Sequence, residues 1–401
     1  MKKFLLGTTA LISLSAASAA MAGGSHTPAA AEPANTGGLT VLVGGSMDFQ
    51  SVFRNEDREI DGGNVSYQKN EIFRNDTILN FTAAGSTDSF DYGAVIELAA
   101  DTNNDKNGDD GGRKTYLYVE NDSFGRVEGG VNVGASSTLE VDASTIARGS
   151  GGVDGDILYN MDTDALSAGS YITSPNLPTA DEETDEGNAT KLTYYTPRFS
   201  GVQFGVSFTP DTGNRGSADD ISDDGDNGDY SNVFAGGLNF QSDIADGVGI
   251  MASAVAEFGT AEGGTDTVAT NDDREDLSAY SLGLGFEFEG FSVAGNYADL
   301  GDSGQDTTPT AGSDTDQAYY TVGAAYENGP YGVSVTYLNS QAGNAVDPTQ
   351  NELSNLVIGA DYQMAPGLTP YIEYANFELD EQGTANDSDG SVVLVGAELS
   401  F

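Results

Sequence analysis

From Leu39 to the last residue, apolar and polar side chains alternate with a period of two, the mark of strands with one greasy face. In Val202–Thr209 one face carries Val202, Phe204, Val206 and Phe208, and the other Gln203, Gly205, Ser207 and Thr209. In Tyr280–Phe288 the split is Tyr280, Leu282, Leu284, Phe286 and Phe288 against Ser281, Gly283, Gly285 and Glu287. Alternation and turn residues together predict sixteen strands: Leu39–Phe53, Asn70–Ala84, Ser89–Ala100, Arg113–Asn121, Gly125–Val133, Ala189–Pro197, Gly201–Thr209, Ser231–Gln241, Gly247–Phe258, Glu275–Phe288, Phe291–Leu300, Gln317–Glu327, Tyr331–Ser340, Ser354–Met364, Leu368–Leu379 and Gly390–Phe401. Short turns such as Glu289–Gly290 and Asn328–Pro330 alternate with long connections, the longest being Gly134–Asn188. An up-and-down antiparallel meander with tight hairpins at one end only gives this order, and an even strand count puts both termini at the short-turn end.

Alternation does not say which face points inward. Size does. A closed sheet of sixteen strands is too wide for side chains to fill, so its interior holds water and its polar face is the inner one. Closure also pairs every backbone polar group, as lipid requires. The predicted class is therefore all-β, a transmembrane up-and-down β-barrel. Tyr and Phe near strand ends, among them Phe49, Phe53, Phe73, Phe81, Tyr194, Phe208, Phe240, Phe291, Tyr331 and Tyr337, suit interfacial girdles, although aromatics also favour strands generally.

Composition narrows the chemistry. The chain of 401 residues has 63 acidic and 15 basic residues, a formal charge of −48, no cysteine and one histidine. Thiolate metal sites, cysteine nucleophiles and disulfides are excluded. His26 lies in the N-terminal lead-in, which removes a Ser-His pair or a histidine metal site from the barrel. The charge disfavours nucleic acid and anionic lipid as partners. Lys2 and Lys3, the apolar run Phe4–Ala16 and Ala20-Met21-Ala22 form a secretory leader over residues 1–22, with cleavage expected after Ala22. Residues 23–38, rich in Pro, Ala and Gly, read as a flexible lead-in to a barrel spanning 39–401.

The final strand, SVVLVGAELSF, sets Val393, Val395, Ala397, Leu399 and Phe401 on one face. With LTVLVGGSMDF in the first strand and FGRVEGG (Phe124–Gly130) before the longest loop, the chain resembles general bacterial porins of the alphaproteobacterial trimeric type. The resemblance implies an outer-membrane homotrimer with the third long loop, Gly134–Asn188, folded into the lumen. It also implies small hydrophilic solutes and ions as cargo, lipopolysaccharide as a neighbour, and Phe401 as a signal to the barrel-assembly machinery. A PEFGG-type constriction motif is absent, which leaves the path of this loop open.

Basic residues are concentrated early: nine lie between Arg54 and Arg148, and none follows Arg274. Parity turns Arg54 and Asp48, Arg74, Asp76 and Asn80, Lys114, Tyr116, Tyr118 and Glu120, Arg126 and Glu128, and Lys191 and Tyr195 toward the lumen. The resemblance implies that a basic wall (Arg54, Arg74, Lys114, Arg126) faces an acidic loop (Glu140, Asp142, Asp154, Asp156), with Asp162 and Asp164 further along, and makes a transverse field. The alternative is that these basic residues neutralise neighbours such as Asp76 and Glu128. The acidity predicts a cation-preferring channel.

Asp101, Asn103, Asp105 and Asp109 space oxygen ligands as calcium loops do, and Asp220–Asp229 is similarly dense. A solvated loop is the plainer reading, so no cofactor is required and structural calcium is an option. Rival functions are a substrate-specific channel, with Tyr116 and Tyr118 as lumen aromatics, a structural or adhesive barrel with a closed lumen, and a carboxylate-only hydrolase for which no motif speaks.

Overall fold

A computed structural model describes residues 34–36, 38–59, 69–100, 112–160, 171–180, 188–216, 229–245, 247–262, 274–307, 314–343, 350–380 and 387–401. A short strand, β1 (Ala34–Thr36), precedes sixteen long ones. These are β2 (Leu39–Glu59), β3 (Glu71–Ser86), β4 (Asp91–Ala99), β5 (Gly112–Asn121), β6 (Gly125–Val131), β7 (Thr190–Tyr195), β8 (Val202–Asp211), β9 (Tyr230–Ala245) and β10 (Val248–Ala261). The ring continues with β11 (Leu277–Phe288), β12 (Phe291–Gly301), β13 (Gln317–Asn328), β14 (Tyr331–Ala342), β15 (Asn351–Tyr362), β16 (Leu368–Asp380) and β17 (Asp387–Ser400).

Each strand from β2 to β17 pairs antiparallel with the next, and β17 closes onto β2 from Asp387↔Glu59 to Ser400↔Ser46. Phe401 and Gly45 exchange both backbone hydrogen bonds at 2.9 Å. The result is a closed sixteen-stranded barrel. Two departures from expectation lie near the seam. β2 runs on to Glu59 rather than stopping at Phe53, because β17 offers it a partner along that whole length. Residues Ala34–Thr36 of the expected lead-in are not free chain but pair with Leu39–Val41, covering the β2 edge beyond the end of β17.

The tight turns follow from positive φ. Between Phe288 and Phe291, Glu289 (φ 47°) and Gly290 (φ 86°) are both left-handed, the two-residue geometry whose twist matches antiparallel strands. Outward positions are apolar and open, as at Phe73 (75% exposed), Leu117 (67%) and Leu284 (59%). Outward aromatics pair between neighbouring strands, as in Phe49–Phe73, Phe291–Tyr326 and Tyr331–Tyr362.

The inner face is two surfaces, not one. On β2–β7 it is charged. On β14–β17 it carries buried Leu338, Leu353, Val357, Phe377, Leu379 and Leu394, against the expectation of a uniformly polar lumen. The reason is the connection between β6 and β7, which lies inside the barrel and covers this patch with Val153, Ile157 and Leu177. Burying a side chain of this size stabilises by about 1.5–3 kcal/mol.

Candidate pore constriction

The β6–β7 connection is fastened by hydroxyls that the sheet pleat aims inward. Ser207 on β8 accepts from the Ala135 N–H (2.8 Å), and Ser253 on β10 from Val141 N–H (2.9 Å). Thr321 on β13 takes Ala143 N–H (3.0 Å), Ser334 on β14 takes Arg148 N–H (2.9 Å), and Thr336 takes Val153 N–H (3.2 Å). Two buried carboxylates add anchors. Glu257 on β10 accepts from the Ser136 hydroxyl (2.7 Å) and Thr179 N–H (2.8 Å), joining an early and a late part of the loop. Glu373 on β16 accepts from the Ser150 hydroxyl and the Gly152 N–H. Lys191 donates to the carbonyls of Asn132 and Ala189, tying the loop's two ends together. Each such bond nets about 1 kcal/mol, but leaving its buried donor unmet costs about 1–3 kcal/mol.

Glycines allow the close fit. A Cβ at Gly283 on β11 would collide with the Val141 carbonyl, one at Gly359 on β15 with the Arg148 carbonyl, and one at Gly323 on β13 would press on Ala143 at 3.1 Å. A short helix, α1 (Ala135–Leu139), starts the path along the wall, and 3-10 turns at Ser144–Ile146, Gly152–Asp154 and Leu158–Asn160 continue it.

The basic residues expected at the constriction all sit on the inner wall, and most have a carboxylate of that same wall beside them. Arg54 pairs with Glu56, Lys114 with Glu97 at 3.7 Å, and Arg126 with both Glu128 and Glu120. Arg126 also lies over the Tyr118 ring, 4.0 Å from its centroid. Tyr116 is half-buried beside it on the inner face of β5. Arg74 differs: it reaches the carbonyl oxygens of Asp156 and Tyr159, each at 3.5 Å, and covers the Tyr159 ring at 4.9 Å.

The four loop carboxylates are dispersed. Glu140 accepts from Asn296 on β12 at 3.0 Å, and Asp142 accepts from Ser144 (2.7 Å) and Thr145 (3.1 Å). Both therefore lie across the barrel from the basic strands. Asp154 accepts from Asn176 at 3.1 Å. Asp156 accepts from Gln50 on β2 and is the one of the four that the structure brings to Arg74. Burial pushes the Glu140 carboxyl up to about 8, with Asp142 adding to the shift. Burial also raises Asp142, against hydrogen bonds from Ser144 and Thr145. Asp156 rises to about 6, first through burial and then through Asp48 and Asp76.

Sequence reading missed Arg148, which pairs with Glu327 on β13 and lies 4.0 Å from Asp361 on β15. It also missed the anchors Glu257 and Glu373. Their signal was present: small or hydrogen-bonding residues recur at inward positions of successive strands, where a bare water-filled wall needs neither. Among the described residues no group of three or more His, Asp or Glu is placed to hold a metal ion. Asp101, Asn103, Asp105 and Asp109, like Asp162 and Asp164, lie outside the described residues, and of Asp220–Asp229 only Asp229 lies within them.

Comparison with known proteins agrees with this architecture. A family profile described as Gram-negative porin matches residues 7–382. An uncharacterized protein of Rickettsia conorii is 27% identical over 341 residues, covering 72% of this chain and 76% of its own. Another from Rickettsia bellii is 26% identical over 456 aligned positions, with both chains covered in full. Among solved structures, an anion-selective porin from Comamonas acidovorans superposes with a TM-score of 0.59 at 16% identity, over 90% of this chain and all of that one. The OmpF complex with daunomycin from Salmonella typhi gives 0.57 at 14% identity, over 92% and 100%.

Proposed function

We propose that this chain, which belongs to the Gram-negative porin family, is a general diffusion channel that prefers cations and passes small hydrophilic solutes across the outer membrane. In this reading the barrel is a channel and not an enzyme. The observation that carries the finer reading is the closed ring with an apolar outer face and an inner face on β2–β7 whose cations are largely matched by wall carboxylates. With the basic wall neutralised locally, the excess of 63 acidic over 15 basic residues sets the sign of the field that an ion meets. The anion selectivity of the Comamonas acidovorans porin belongs to that protein; a shared fold at 16% identity does not carry lumen charge with it.

In this reading Arg54, Arg74, Lys114 and Arg126 form one side of the eyelet, and the loop bearing Glu140, Asp142, Asp154 and Asp156 the other. The leader is removed after Ala22, three copies assemble, Phe401 is read by the assembly machinery, and lipopolysaccharide surrounds the outer rim. Calcium at Asp101–Asp109 is an optional addition.

Planar-bilayer current in a potassium chloride gradient tests the proposal. The expected result is conductance in steps of three with a reversal potential favouring potassium. That preference weakens toward 1 M salt, where the Debye length falls to about 3 Å. A reversal potential favouring chloride would overturn the charge argument. Silence from correctly folded protein would favour a structural barrel with a closed lumen.

A further inference from the structure

We propose that Asp243, Gly249 and Glu287 form a cradle for guanidinium-bearing solutes at the short-turn end of the lumen, apart from the constriction. The pattern for it is a second cradle in the same wall, where the chain supplies its own guanidinium. There Gly332, the second residue of β14, stands in register between Glu327 of β13 and Asp361 of β15. Arg148 lies over it, paired with Glu327 and 4.0 Å from Asp361. A Cβ on Gly332 would come within 3.0 Å of the Arg148 Nε and 2.6 Å of an Asp361 oxygen. A residue with no side chain is what leaves the guanidinium this seat.

Four strands earlier the arrangement recurs. Gly249, the second residue of β10, stands in register between Asp243 of β9 and Glu287 of β11. Directly opposed residues share a face of the sheet, so both carboxylates flank the glycine inside the barrel. A Cβ on Gly249 would lie 3.3 Å from a Glu287 oxygen and 3.9 Å from an Asp243 oxygen, and no third residue beyond its chain neighbours comes as near. Both acidic residues are exposed, and among the described residues neither has an ion-pair partner within 4.0 Å. Arg198, in the turn before β8, donates instead to the Gly201 and Asn239 carbonyls and to Gln203.

The glycine is the independent observation. Within a strand glycine costs stability, and it marks a bulge, a bend or the close approach of another group. Gly249 has no left-handed φ, and the bulge beside it places its extra residue, Ile244, on β9. Gly283, Gly323 and Gly359 are accounted for by the loop that lies against them, and Gly332 by Arg148. No loop atom comes as close to Gly249 as the two carboxylates do. Met251, the next inward position on β10, is the one that packs on the cluster of Ile146, Ala294 and Ala325. A planar guanidinium fits the open seat: its N–H pairs meet a carboxylate on either side, and its flat face lies on the glycine backbone. Calcium takes about six to eight oxygen ligands, more than two carboxylates supply. The channel reading enters only as the route by which solute arrives; a solute that has passed the loop meets this seat next, and weak binding lets it leave.

The test is a titration of the folded protein in detergent micelles with methylguanidinium and with tetramethylammonium, read by saturation transfer to their methyl protons. The wild type is expected to bind methylguanidinium about tenfold more tightly, because only that cation offers a two-point hydrogen bond. Glu287→Gln and Gly249→Leu are each expected to abolish the preference, the first by removing charge and the second by filling the seat. Glu398→Gln is expected to keep it: this carboxylate belongs to the same end of the lumen, but its register partners are Thr369 and Asp48. Equal affinity for the two cations in the wild type would overturn the proposal. So would a loss in Glu398→Gln as large as in Glu287→Gln, which would assign the preference to the general acidity of the mouth. Glu287→Gln keeps the volume of an exposed side chain and decides the matter if Gly249→Leu does not fold. Potassium conductance of the same preparation separates the two readings. Preference without conductance supports the cradle and refutes the channel, whereas conductance without preference refutes the cradle alone.

Discussion

A leucine at Gly283 is expected to lift the first half of the β6–β7 loop from the barrel wall while the barrel itself stays closed. Gly283 points inward from β11, and a Cβ there would run into the Val141 carbonyl and stand 2.7 Å from the Ser253 hydroxyl. That hydroxyl accepts the Val141 N–H, so one substitution attacks both the space and the bond. Backbone cannot give way as a long side chain can. Overpacking of this kind costs about 1–3 kcal/mol, and the lost hydrogen bond adds about 1 kcal/mol. The barrel's own ladder, by contrast, loses nothing at this position, because β11 keeps both neighbours. Limited proteolysis should therefore cut within residues 135–160 at least tenfold faster than in the wild type, and single-channel current should become larger and noisier. Gly285→Leu is the matched control. It also points inward from β11, but its Cβ would meet the Met251 side-chain terminus at 2.8 Å, which can swing aside. Equal protease resistance in all three proteins would show that the wall does not hold the loop in the way described.

The contrast between these two glycines marks where sequence reading reached its limit. Period-two alternation located the strands because it is a local property: each segment shows its own two faces, and Phe291, Tyr331 and Leu368 begin strands where the pattern starts them. Parity placed Lys114, Tyr118, Arg126 and Tyr195 on the inner wall for the same reason, since their apolar neighbours such as Leu117 turn outward. The loop is another matter. Whether Ser253 or Thr321 faces water or takes a loop N–H depends on a segment more than 100 residues away, and no periodicity records it. The inward leucines and Phe377 of β14–β17 run against the polar lumen that the alternation predicts. They become intelligible only once Ile157 and Leu177 are seen to cover them. Acidic loop residues were expected to face the basic wall as a group. In the structure desolvation and local donors decide each one separately, so that Glu140 settles on Asn296 and Asp156 on Gln50.

That separate settlement predicts a dependence of the loop on pH. The docked Glu140 carboxyl has its pKa raised from the ordinary 4.5 to about 8, through burial first and the Asp142 charge second. The docked loop thus binds a proton that the released loop does not, over the interval between those values. Its contribution to docking is complete below about pH 4.5 and is lost as pH rises through about 8. Asp156, raised from 3.8 to about 6, contributes in the same sense over a lower window. Alkaline solution should then loosen the loop, not tighten it, and add negative charge to the lumen at the same time. Protease cleavage in residues 135–160 and current noise are both expected to climb between about pH 4 and about 8, while the reversal potential moves further toward potassium. Glu140→Gln preserves an oxygen for Asn296 but cannot ionise. It should flatten the response above about pH 6 and leave the lower arm, which Asp156 supplies, in place. Asp156→Asn should do the reverse. A loop better protected at pH 9 than at pH 5 would mean that Glu140 is ionised in the docked state and that the Asn296 bond outweighs its desolvation.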